Sequence, residues 1–145
     1  MFRLDGVLVW RERQRDECRL RWAEACRAEE EIRRRAAELC AEIAAEQTQR
    51  RGKLESGVIA LDDIRARHQY EQALRGELEL LQRASEEATR ERERRSDAVI
   101  EAQREVEVLE RLKAAHAEQA LQAVRRGEQR QMDEVAGLRA HRRAA

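Results

Sequence analysis

Residues 49–63 read QRRGKLESGVIALDD, and the fold turns on what this stretch does to the helices around it. Gly52 and Gly57 can end a helix, and Ser56 or Asp62 can cap the next one. No other part of the chain gathers helix breakers in this way, and the 145 residues contain no proline. Gly76, Gly127 and Gly137 weaken the downstream stretch without breaking it. The expectation is a single coiled-coil domain over residues 1–145, with one helix over about 3–51, a turn at about 52–62 and a second helix over about 63–142.

Composition agrees with long helices that bury a narrow seam. Charged side chains make up 41% of the chain and aromatic ones only 3%, too few large apolar groups for a compact globule of this length. Runs of Ala, Glu, Arg, Leu and Gln instead mark coiled coil. The 30 basic and 30 acidic side chains balance. That balance weighs against a nucleic-acid binder, which needs a basic stripe to displace counterions from phosphates.

The seams themselves can be read in steps of four and three. The first arm carries Leu4, Leu8, Arg11, Arg15, Cys18, Trp22, Ala25, Glu29, Ile32, Ala36, Leu39 and Ile43 at this spacing. The second repeats it at Leu74, Leu78, Leu81, Ser85, Ala88, Arg92, Arg95, Val99, Ala102, Val106 and Leu109. Two matching seams around one turn predict an all-α fold, a long antiparallel two-helix coiled-coil hairpin. Register follows from charge. If facing residue numbers add to about 110, Arg15 meets Arg95, which is unfavourable. If they add to about 117, Ile43 meets Leu74, Leu39 meets Leu78, Leu8 meets Leu109, and Trp22 lies opposite Arg95, a cation–π contact of about 0.5 to 1 kcal/mol.

In the second register the first arm ends near Lys113, so the C-terminal helix is longer and projects alone for about 45 Å. A lone helix of this composition is marginal in water. Yet it carries Leu121, Val124, Met132, Val135 and Leu138, an apolar stripe whose occupant is a partner, a folded-back arm or a second copy. The opening GVLVW (6–10) poses the same question, because Val7, Val9 and Trp10 spread around the helix beyond what one partner helix covers.

Catalytic chemistry finds little support. His68, His116 and His141 lack the i, i+3 or i, i+4 spacing of shared metal ligands, so no metal site is expected. Carboxylates sit three or four residues from Arg or Lys and read as solvated ion pairs. No glycine loop has phosphate-binding spacing, and a two-helix fold offers no enclosing pocket. The expectation is a non-enzyme with no cofactor. Cys18, Cys26 and Cys40 share one helix and cannot bridge to each other, consistent with a reducing compartment. No run approaches the roughly 20 apolar residues of a membrane span, and the start has no signal-peptide pattern, so no direct membrane insertion is expected.

At three places the sequence resembles the FliJ family of flagellar export proteins, relatives of the YscO-type injectisome stalks. FRLDGVLVWRERQRDECRLRWAEA (2–25) resembles the family's N-terminal helix, EAQREVEVLERLKAAHAEQA (101–120) the stretch before its end, and EQRQMDEVAGLR (128–139) its most specific segment. The resemblance implies a non-catalytic stalk that couples the hexameric flagellar export ATPase to the cytoplasmic domain of the membrane export gate. In some members it also implies binding of export chaperones. It further implies a cytoplasmic protein, peripheral at the inner membrane through the apparatus, needed for flagellum biogenesis and motility. Carried over by position, the gate-facing surface comprises Leu39, Ile43, Tyr70, Leu74 and Leu78. The ring-facing surface comprises Trp10, Leu121, Val124, Met132, Asp133, Glu134 and Val135. Around the turn, aromatic residues are sparser than the family pattern, with only Tyr70 present. The alternative is a general helical chaperone or scaffold for export clients.

Overall fold

A computed structural model of the chain describes residues 2–57 and 60–145. It contains two helices, α1 (Asp5–Glu55) and α2 (Leu61–Ala144). Contacts gather the chain into two compact units, a terminal unit of Met1–Asp16 with Glu101–Ala145 and a turn unit of Glu17–Ile100. In both units α1 and α2 run antiparallel. This is the all-α hairpin expected, with the C-terminal helix the longer.

Helix α1 runs further than the glycines suggested, passing through Gly52 to Glu55. A lone helical glycine costs only about 1 kcal/mol, so it does not force an end. Gly57 does: its φ of +73° is left-handed, and its N–H donates to the Leu54 carbonyl at 3.4 Å, the pairing of a glycine C-cap. Ser56 does not cap α2; its hydroxyl donates to the Lys53 carbonyl at 2.8 Å and so closes α1. At the start of α2, the Ala60 carbonyl accepts from Asp63 and Ile64, while Asp62 and Asp63 sit in the first turn, where their charge suits the helix dipole. Val58 and Ile59 lie outside the described residues.

In the turn unit most of the predicted seam forms the core, although Trp22 is 40% exposed and Glu71, one step before Leu74, joins it. Leu39 and Leu74 are buried, and Ala25, Ile32, Ala36, Ile43, Leu78, Leu81, Ser85, Ala88 and Val99 are half-buried against the opposing helix. In the terminal unit Leu8 and Val106 are buried and Leu109 is half-buried. Contacts across the helices fix the register. In the terminal unit Lys113 Nζ lies 2.8 Å from Asp5 Oδ1, and the rings of Phe2 and His116 are 5.8 Å apart. In the turn unit Thr89 meets Glu29 and Gln47 meets Glu71. The residue numbers of all four pairs add to 118, as the second of the two registers requires.

Two sequence expectations do not hold. Glu29 and Glu71 are not solvated carboxylates: they are 4% and 3% exposed, at seam positions in the turn unit. Arg95 does not lie over Trp22, since its Nε donates to Glu91 at 2.6 Å. Among the described residues the guanidinium found over an indole is Arg11, 4.7 Å from the centre of the Trp10 ring. The neighbouring carboxylate on its own helix outcompetes the cross-helix ring for Arg95, as expected for i, i+4 partners.

Candidate functional site

The surfaces on which a partner can act lie where apolar side chains find no helix to cover them. In the terminal unit, α1 begins at Asp5 and its neighbouring Phe2 reaches His116. From Arg111 to the C-terminus every residue of α2 is exposed. The stretch 117–144 is therefore a single helix of about 40 Å that no other helix covers among the described residues. Leu121, Val124, Val135 and Leu138 are all exposed on it, and Met132 is 70% exposed.

These residues are not spread evenly. Leu121 and Met132 are one 11-residue step apart, as are Val124 and Val135, and a step of 11 keeps a face in line on a straight helix. Met132, Val135 and Ala136 share a shallow surface with Glu128, Gln131 and Arg139. Asp133 and Glu134 do not line it, because at about 100° per residue both fall well over 100° from the centre of the face shared by Met132 and Val135. Asp133 instead accepts from Gln129 Nε2 at 3.3 Å. The structure thus brings Met132 and Val135 together and leaves the two acids off their face.

Trp10 is 50% exposed, its ring under the Arg11 guanidinium. It stands level with Val108, and Val7 comes within one residue of Leu112, when the register of Asp5 and Lys113 is followed along the terminal unit. All four are exposed, and all four directly precede seam positions, so they share one flank of the helix pair. Sequence reasoning found Val7 and Trp10 but passed over Val108 and Leu112. The signal was available: two apolar residues on each arm, one place ahead of the seam, become neighbours once the register is known.

The residues assigned to the gate by resemblance fare unevenly. Leu39 is fully buried and Leu74 nearly so, which makes them seam residues with little surface to offer. Ile43 and Leu78 show their edges in a shallow groove with Cys40, Arg75 and Glu79. Tyr70 is 50% exposed and lines a different groove with Glu46, Gln49, Asp63, Ala66 and Arg67. The five do not form one surface.

Among the described residues no group of His, Cys, Asp or Glu is placed to hold a metal ion, and no helix is long and apolar enough to cross a membrane. The three cysteines are free thiols. The family described as flagellar FliJ protein matches residues 1–145, the whole chain. The chain belongs to the FliJ family. It is accordingly a coiled-coil protein of flagellar export, and its FliJ-family character spans both helices and the exposed C-terminal stretch. Neither curated proteins nor solved structures yield a match.

Proposed function

We propose that this FliJ-family chain is a non-catalytic stalk of the flagellar protein export apparatus, coupling the hexameric export ATPase to the cytoplasmic domain of the membrane export gate. The observation that carries the reading is the open end of the terminal unit. A helix that is marginal alone in water displays an aligned apolar stripe, beside a second flank of Val7, Trp10, Val108 and Leu112. Large aromatic and aliphatic side chains left in water at one end are the usual anchors of a protein interface. The ATPase ring is their proposed partner, with Leu121, Val124, Met132 and Val135 as the contact face. Asp133 and Glu134 play a lesser part, because they stand off that face.

In the turn unit, Tyr70 is the available anchor for the gate, with the edges of Ile43 and Leu78 on a separate groove. Leu39 and Leu74 support that unit by holding the helices together. On this reading the protein works in the cytoplasm and reaches the inner membrane only through the apparatus. The test is truncation after Lys113, assayed by co-purification with the ATPase, stimulation of ATP turnover and swarming of a complemented deletion strain. Loss of all three with retained gate binding is expected. Full ATPase stimulation by the truncated chain would show that the free helix is not the ring-binding element.

A further inference from the structure

Two buried carboxylates in the turn unit have the same surroundings, with the helices exchanged. Glu29 of α1 accepts at Oε1 from Arg33 on its own helix at 3.0 Å and from the Thr89 hydroxyl at 2.8 Å. Its Oε2 lies 2.6 Å from Arg92 Nε of α2. Glu71 of α2 accepts at Oε1 from Arg75 on its own helix at 2.6 Å and from the Gln47 amide at 3.2 Å. Its Oε2 accepts from Arg50 of α1 at 2.9 Å. Each clamp thus has one arginine four residues on in its own helix, one neutral donor directly across, and one arginine three residues beyond that donor.

Arg33 and Arg75 travel with their carboxylates, so they are indifferent to how the helices slide. The cross-helix groups are not. A slip of one heptad either way sets Val99 or Ser85 where Arg92 stands, and Gly57 or Ile43 where Arg50 stands. It also replaces Thr89 by Ser96 or Gln82, and Gln47 by Leu54 or Cys40. Both clamps lose their cross-helix arginine, and Glu71 loses its neutral donor as well, which is costly for a carboxylate in a desolvated position. The apolar seam between them is far less selective. Leu, Ile and Ala recur there at heptad spacing, so a slip sets Ile43 against Leu81 and Ala36 against Ala88, or Ile32 against Leu78 and Ala36 against Leu74, and keeps apolar contacts.

We propose that the Glu29 and Glu71 clamps are a paired register lock, which confines the hairpin to one axial alignment that its repetitive apolar seam would not by itself select. The consequence for function lies in the terminal unit, where the observed register leaves the helix after His116 free. A one-heptad slip would set Leu4 against Leu121 and cover the start of the stripe, or would pull Leu8 away from Leu109. The lock therefore sets how much of the stripe can meet a partner.

The alignment can be read by spin-label distances between Arg51→Cys and Glu86→Cys, both exposed sites, in a full-length background carrying Cys18→Ala, Cys26→Ala and Cys40→Ser. These sites are offset along the hairpin, so a one-heptad slip changes their separation by about 10 Å. One distance is expected for the parent. In the variant Glu29→Leu, Glu71→Leu, Arg50→Leu, Arg92→Leu a second distance about 10 Å away should appear while helicity is kept. Exchanging charges within each clamp, Glu29→Arg with Arg92→Glu and Glu71→Arg with Arg50→Glu, should restore the single distance. If the leucine variant loses helicity, Glu29→Gln with Glu71→Gln is read in the same way. A single native distance in the folded clamp-free variant would overturn the proposal, because the seam and the turn would then fix the register without the clamps.

Discussion

Glu29 shows how much one residue's setting can differ from its sequence context. Its neighbours four residues away, Arg33 and Ala25, belong to an ordinary helix surface, yet the opposing helix buries it and supplies Thr89 and Arg92. The Thr89 hydroxyl holds the carboxyl below its ordinary range, aided by Arg92 and Arg33, and together they outweigh the opposing effect of burial. At Glu71 the Gln47 amide does the same, aided by Arg50 and Arg75. A carboxyl with a lowered folded pKa stabilises the fold above its unfolded value, and that contribution disappears as the pH falls through the folded value. The melting temperature should therefore drop as the pH is lowered below about 4.3, the ordinary value for Glu. Glu29→Gln with Glu71→Gln should melt lower at neutral pH and lose less on acidification. Parallel acid-side slopes for the two proteins, measured by circular dichroism, would assign the acid sensitivity to other carboxylates. Most of the seam was legible from spacing, although Trp22 and Leu4 stay exposed and Glu71 was not among the positions read. That two seam residues are buried charges with cross-helix partners was not, since Glu29 and Arg33 look the same whether solvated or buried.

At the scale of the elements, the two ends of the turn obey different rules. Gly57 ends α1 because, among the described residues, it alone adopts a left-handed conformation, whereas Gly52, Gly127 and Gly137 are ordinary helical residues. A Cβ at any of these four would meet nothing within 4 Å, so backbone preference alone decides the outcome of substitution. Gly57→Ala should cost about 1 to 2 kcal/mol in urea unfolding. Gly127→Ala and Gly137→Ala should instead raise helicity by about 1 kcal/mol per site, visible as slower amide exchange over 117–144. A sequence reader sees six glycines of equal standing. Their different roles come from φ, which depends on whether the chain must reverse at that point. The exposed stretch of α2 should exchange fastest in the free protein, because no tertiary contact adds to its intrinsic helical preference.

For the whole molecule, the flagellar export reading rests on faces that are apolar and uncovered. Met132 and Val135 make no contribution to the core, so Met132→Asp with Val135→Asp should leave the melting temperature within about 2 °C of the parent. On the proposed function the same variant should lose ATPase co-purification at least tenfold, by about 1.4 kcal/mol or more. Asp133→Ala with Glu134→Ala, changed off the stripe, should lose much less. Equal losses in both variants would place the contact elsewhere on α2.

The sequence by itself determined that the chain forms two long helices, where they turn, most of the positions that face inward and that the C-terminal helix outruns its partner. These features follow from local rules, helical periodicity and glycine placement, that act within a few residues of each other. Charge conflict between Arg15 and Arg95 was enough to choose the register. Only the tertiary structure decided which polar seam residues are buried, that Val108 and Leu112 join Val7 and Trp10, and that Tyr70 is separated from Ile43 and Leu78. Those outcomes depend on what the opposite helix places at the same level, and no single arm of the sequence carries that information.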